Sequence, residues 1–398
     1  LALARTAPLR SALAEALPER PFTVGFWDGS ELPGTSDGPR FNVRSPRAAA
    51  YVLYRPIELG IGRAYVSGEI DVDDLDAAVD IVREWKPPAF DRSTKAKLAL
   101  AAAQAAGLTK PPPRPDAELV PEGHRYTLMR DRRSVRHHYD LPPEFFALFL
   151  DESMTYSCAI FSRGATTLEE AQETKLELVC TKLGLKEGNR ILDVGCGWGS
   201  FALHAAQRHG VHITGITLSP PQAEIARRRA ADAGLADRID IRVQDWRDLR
   251  GEQFDAIASI GMVEHVGEDS IDDYAARLRA LLKPGGTLLN HGIARLVLGD
   301  PRGGPFTQRY VFPDGAPLHL SRILLALERA DFVPEHVEGF AADYAETLRH
   351  WYTRLDDHID EARRLAGDER LRVWRLYLRA ARWGFLNRFT SIFQVRAT

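Results

Sequence analysis

An aspartate followed by glycines at alternate positions, Asp193, Gly195, Gly197 and Gly199, closes the apolar run Ile191, Leu192 and Val194 and opens a helix-length stretch, Ser200 to His209. Glycines in a strand-to-helix turn let bare backbone approach a ligand, and the helix behind them offers free N–H groups. This suits recognition of a nucleotide-like molecule outside the carboxyl end of the strand. The spacing departs from the Gly-x-Gly-x-x-Gly dinucleotide fingerprint, although NAD stays open as a ligand. Tight packing of strand on helix would account for one or two glycines, but poorly for three beside an acid. The chain shows no obvious nucleophile triad. Its three cysteines, Cys158, Cys180 and Cys196, have no paired short spacing, so no disulfide framework or metal site is expected.

Such a turn needs an α/β sheet to hold it. Apolar strands are predicted at Arg190 to Val194, His212 to Ile216, Ile239 to Val243, Ala256 to Ile260 and Thr287 to His291, separated by helix-length amphipathic stretches. That alternation is the pattern of a doubly wound α/β sheet. Proline-rich residues 108–125 read as a linker between one domain at 1–107 and a second at 126–398. The first reads as a small α+β module, with strands at Phe22 to Phe26 and Ala49 to Tyr54 and helices at Asp73 to Trp85 and Thr94 to Ala106. Leu1 to Arg20 alternates apolar and charged positions and reads as an amphipathic helix rather than a secretory signal.

The 398 residues carry a formal net charge of -3, which gives no global attraction to nucleic acid. No run approaches the ~20 apolar residues of a spanning helix, so any lipid contact is from the membrane surface, and the few unpaired cysteines fit a cytoplasmic setting, peripheral to the inner face where a membrane is met.

The Asp193 to Gly199 run resembles the first motif of the Rossmann-like, class I S-adenosylmethionine methyltransferases. Pro284-Gly285-Gly286 resembles the turn before their fifth strand. The second strand ends in Thr217-Leu218-Ser219 without the usual ribose-binding acid, and Gln222 is a neutral substitute able to hydrogen-bond hydroxyls. After the third strand, Asp245 offers a carboxylate to an adenine amino group and Trp246 an indole to its face.

More specific blocks follow in order: Tyr156-Ser157-Cys158, Leu168-Glu169-Glu170-Ala171-Gln172, Gly261-Met262-Val263-Glu264-His265-Val266-Gly267 and His291-Gly292-Ile293. Together with the glycine turn they resemble the cyclopropane-fatty-acyl-phospholipid synthase family. Phe26 to Ser30 and Leu59 to Glu69 resemble the accessory domain of its longer bacterial members. The resemblance implies S-adenosylmethionine as methyl donor, bound also by Tyr156 and Ser157, and a cis-alkene in an unsaturated phospholipid acyl chain as acceptor. It further implies a bicarbonate base held by Cys158, Glu264, His291 and Tyr344.

One position departs from the family pattern: the late helix reads Tyr377-Leu378-Arg379-Ala380-Ala381, with Ala381 where the family has cysteine. This weakens the case for a cyclopropane and favours a 10-methylene product, as in the actinobacterial tuberculostearic acid branch. A methylene product would pass to a partner reductase, and a homodimer stays open.

Residues 303–320, rich in aromatics and proline, and Phe145 to Leu150 are candidates for lining an acyl channel or for ordinary core. Arg372, Arg375, Arg379 and Arg382 are candidates for meeting phosphate headgroups. Two competing readings are a methyltransferase acting on a small-molecule heteroatom and a non-catalytic lipid-binding homologue.

Overall fold

The computed structural model describes residues 6–54, 57–107, 110–119, 141–297, 304–311, 315 and 317–398. Packing divides the chain into two compact units. One comprises Leu1–Val120, Gly304–Val311 and Asp360–Trp383, the other Pro121–Gly303, Phe312–Ile359 and Gly384–Thr398. The cut differs from a simple division at a linker, because two later segments join the first unit. Residues 108–109 and 120–125 of the expected linker lie outside the described residues.

In the first unit, strands β1 (Thr23–Gly25), β2 (Glu31–Leu32), β3 (Arg40–Val43) and β4 (Ile70–Val72) form a small sheet in the order β2-β1-β3-β4. Helices at Leu75–Glu84 and Arg92–Ala106 appear where the apolar spacing places them. The stretch expected as a strand at Ala49 to Tyr54 is instead the helix Pro46–Tyr54. Its Ala48-Ala49-Ala50 run favours helix, and all three side chains are buried.

Within this unit Arg63 makes a two-pronged pair with Glu118 at 2.6 Å on each arm, and the Tyr310 hydroxyl donates to the same carboxylate at 3.1 Å. Arg372 donates to the carbonyls of Tyr65 and Ile70, and Arg379 pairs with Asp76 at 3.0 Å. Two of the four arginines considered for headgroups therefore already serve the protein's own packing.

The second unit is built on strands β5 (Arg190–Val194), β6 (His212–Thr217), β7 (Ile239–Val243), β8 (Phe254–Ile260), β9 (Leu282–Arg295), β10 (Pro334–Gly339) and β11 (Thr390–Ala397). Their order is β10-β11-β9-β8-β5-β6-β7. Strands β7, β6, β5, β8 and β9 run parallel, and β11 lies antiparallel between β9 and β10. Strand β5 is buried except at its first residue, as a strand covered on both faces requires. The chain order reverses beside β5, so the crevice at its carboxyl end is the natural ligand position.

The helix Leu168–Leu183 covers one face. It opens on a reciprocal capping box between Thr167 and Glu170 and stops at Gly184 in the left-handed conformation. Its buried stripe includes Leu168, Ala171, Gln172, Lys175, Leu176 and Val179, and two of these six are polar.

Candidate active site

The turn after β5 is held by two backbone bonds, from Gly195 N–H and Cys196 N–H to the Ile216 carbonyl at 2.9 and 3.0 Å. Gly195, Gly197 and Gly199 have φ of 80°, 53° and 86°, a region that other L-residues enter at a cost. Two adjoining cavities open on this turn and share Gly195, Gly197, Gln222 and Gly261 as walls. One extends along Thr217, Leu218, Asp245 and Trp246; the other reaches Tyr156, Ser157, Lys175 and Asp193.

Most of the expected cofactor residues thus line one crevice. Ser219 does so indirectly: its hydroxyl caps the helix Pro220–Asp232, accepting from Gln222 N–H at 3.4 Å. Gln222 is buried rather than solvent-facing, and Thr217 Oγ1 donates to its Oε1 at 3.0 Å, which fixes the amide's orientation. Asp245 accepts from Arg247 through both backbone and guanidinium, at 2.8 and 2.9 Å. Trp246 packs edge-on against Tyr274, with the Arg247 guanidinium 4.7 Å from its ring centre.

Tyr156 stacks on Trp351 at 5.1 Å, and Tyr344 meets the same indole edge-on at 6.0 Å. Phe145, Phe146 and Phe149 are wholly buried and interlock as core, with Phe146 5.0 Å from Trp198. In the 303–320 stretch, Phe306 and Tyr310 stack within the first unit, while Phe312 and Pro313 lie outside the described residues.

Lys175 was not expected here. It is 1% exposed and donates to Ser157 Oγ at 3.0 Å, and burial pulls its amine down to about 8. On the same helix, Gln172 donates to the carbonyls of Ser157 and Thr155 at 2.9 and 3.2 Å. The helix therefore grips the 155–157 loop through two buried polar side chains. A usable signal lay in the sequence, since both residues fall on the apolar stripe where a polar group must find a partner. Lys175→Met should weaken cofactor binding by about tenfold, the cost of losing one charge-assisted bond to the loop. Calorimetric titration with S-adenosylhomocysteine checks this; an unchanged affinity would mean that the lysine only fills space.

Among the buried polar groups that lack full satisfaction, three are residues expected at the site. Asp193 Oδ2, Glu264 Oε2 and both ring nitrogens of His291 have no hydrogen-bond partner among the described residues. Burial raises Asp193 to about 7 against the opposing pull of Lys175. Glu264 is likewise lifted to about 7 by burial, although Ile293 N–H donates to its Oε1 at 2.7 Å. Burial, reinforced by Lys175 and Lys182, keeps His291 well below the ordinary histidine range, so its ring is neutral. The neighbouring His265, also buried, is lowered to about 4 and lines the cofactor crevice.

Gly292 is required between these groups, because a β-carbon there would sit 2.3 Å from Val263 Cγ1 and 3.5 Å from Glu264 Oε2. Cys158 belongs to the same neighbourhood through the backbone. Its thiol lies 3.8 Å from the Phe340 carbonyl, Phe340 N–H donates to Ile392, and Ile392 stands opposite Ile293. The same sulfur lies 3.1 Å from the Ala159 carbonyl, so the thiol has two backbone acceptors within reach.

Residues 126–395 match the family described as mycolic acid cyclopropane synthetase. The chain is 35% identical over 397 residues to "Probable fatty acid methyltransferase Rv3720" of Mycobacterium tuberculosis, covering 96% of this chain and 92% of that protein. It is 31% identical to "Tuberculostearic acid methyltransferase UfaA1" of the same species, covering 90% and 85%. Among solved structures, mycolic acid cyclopropane synthase CmaA1 complexed with SAH and CTAB superposes with a TM-score of 0.63 at 31% identity, over 67% of this chain and 97% of that one.

Proposed function

The chain belongs to the mycolic acid cyclopropane synthetase family, and on that premise we propose that it methylates the cis double bond of an unsaturated phospholipid acyl chain. It is an S-adenosylmethionine-dependent methyltransferase of the fatty acid and cyclopropane synthase type. The observation that best supports the finer reading is the buried set of unpaired groups at Glu264 and His291, beside a cofactor crevice. A protein that only bound lipid would gain nothing from them, since unpaired buried polar atoms cost stability. A heteroatom acceptor would also shed a proton on methylation, so it is the family match rather than the base site that favours an alkene over it.

When bound, the cofactor supplies a sulfonium methyl that is open to attack by alkene π electrons. The protein's part is to align the reactants, keep water away and accept the proton that the resulting carbocation sheds. The glycine turn admits the cofactor, Gln222 is pre-oriented for hydroxyls, and the buried walls exclude water.

For the proton, a bicarbonate ion fits the donor set. A neutral His291 ring carries one N–H, and Glu264, poised near 7, can present a proton to an anion oxygen. Tyr344 and Cys158 complete the set in this reading. We favour a 10-methylene product: Ala381 cannot hydrogen-bond an anion, and a tuberculostearic acid methyltransferase matches most of the chain.

Among the described residues no helix is long and apolar enough to cross a membrane, so access to acyl chains is assigned to the bilayer surface. Vesicles of dioleoyl phospholipid incubated with the protein and S-adenosylmethionine, then analysed by gas chromatography and mass spectrometry, test the proposal. A 10-methylene chain is the expected product. A cyclopropane would keep the substrate and overturn the product assignment, and an unmodified chain with intact cofactor binding would overturn both.

A further inference from the structure

On the side of the second unit away from the glycine turn, the helices Leu168–Leu183 and Ser200–His209 bring four side chains of metal-ligand type together. Cys180 Sγ and a ring nitrogen from each of His204 and His209 all lie within 4.8 Å of one another. Glu177 joins them: its Oε2 is 3.1 Å from His204 Nε2 and 3.1 Å from His209 Nε2. We propose that Glu177, Cys180, His204 and His209 form a binding site for one divalent transition metal of the zinc class.

The geometry suits such an ion. With zinc to nitrogen and zinc to oxygen bonds of about 2.0–2.1 Å in a tetrahedron, neighbouring ligand atoms are about 3.3 Å apart. Both nitrogen to oxygen separations already approach that edge length. The sulfur lies within 4.8 Å of both nitrogens, a gap that a side-chain rotation can close.

The pattern is also sound by type. Two histidines five residues apart in a His-x4-His arrangement, with two more ligands one helical turn apart on the facing helix, match how structural zinc sites draw on paired short segments. A thiolate and a carboxylate neutralise the dication, which suits a place where Cys180 is 1% exposed. On binding, the thiol proton passes to solvent, so affinity falls as pH falls.

An ordinary packing role explains less. A histidine at the last position of a helix complements its dipole, and one carboxylate can accept from two imidazoles. Neither consideration requires a buried thiol at the same point. Absence of paired cysteines argued against zinc in the sequence because this set uses one cysteine and draws on two helices.

Loading would clasp the helix carrying Gln172 and Lys175 to the helix that follows the glycine turn. The cofactor's two walls would then be fixed to each other.

Chelator-stripped protein equilibrated with Zn2+ alone and assayed by elemental analysis should retain one zinc per chain with submicromolar affinity. His209→Ala and Cys180→Ser should each weaken binding by about a hundredfold or more. Cofactor binding by His209→Ala reports that the fold persists, and Co2+ substitution should give the intense visible spectrum of a tetrahedral thiolate site in the parent only. No stoichiometric zinc at micromolar concentration, or equal binding by the parent and both variants, would overturn the site.

Discussion

Glu264→Gln should lower methyl transfer to oleoyl phospholipid by about a hundredfold to a thousandfold while leaving S-adenosylhomocysteine affinity within a factor of two. Glutamine keeps an oxygen for the Ile293 N–H but cannot exchange a proton, so shape survives and proton handling does not. The same substitution should stabilise the protein at alkaline pH. Burial raises Glu264 to about 7 in the folded chain, above its ordinary value of 4.5, so its favourable contribution is complete at acid pH and is lost as pH rises through about 7. The loss is on the order of 3 kcal/mol at pH 8. The variant should therefore melt at a higher temperature than the parent at pH 8, and the gap should close toward pH 5. An inactive yet more stable variant marks a group kept for chemistry. Turnover within threefold of the parent would remove Glu264 from the base site.

The second large effect concerns the glycine turn. Gly197 sits at φ 53° on the wall shared by both cavities, and a β-carbon there would meet no protein atom within 4 Å. The space it would enter belongs to the crevice. Gly197→Val should weaken cofactor binding by about a hundredfold or more, through strain of about 1–2 kcal/mol in the left-handed region and obstruction of the ligand. Titration with S-adenosylhomocysteine reads the affinity, and circular dichroism shows that the sheet remains. Affinity within a few-fold of the parent would mean that the ligand does not lie against this turn.

The parts of the site that local rules govern were legible in the sequence. Asp193 to Gly199 announces itself because only glycine enters that turn cheaply; β5 falls at its expected bounds as a buried, mainly apolar strand, and edge strand β7 does so because it alternates apolar with polar positions. Lys175 was missed because a lysine between acidic and apolar neighbours reads as surface unless the whole helical stripe is followed. The helix at Pro46–Tyr54 was read as strand because its aromatic and branched residues outweighed three alanines. Periodicity also shows that a helix face is buried without saying against what. Residues 360–383 were therefore placed with the catalytic domain, although they pack with the first unit.

Strand β11 adds a constraint of a different kind. It fills the slot between β9 and β10, yet it follows both in sequence by many residues. During synthesis β9 and β10 must therefore wait on the ribosome with facing edges unpaired, exposed to any other strand that passes. Residues 390–397 act as the closing stave of the sheet, and a nascent chain stalled before them would carry two adhesive borders rather than a smaller working enzyme.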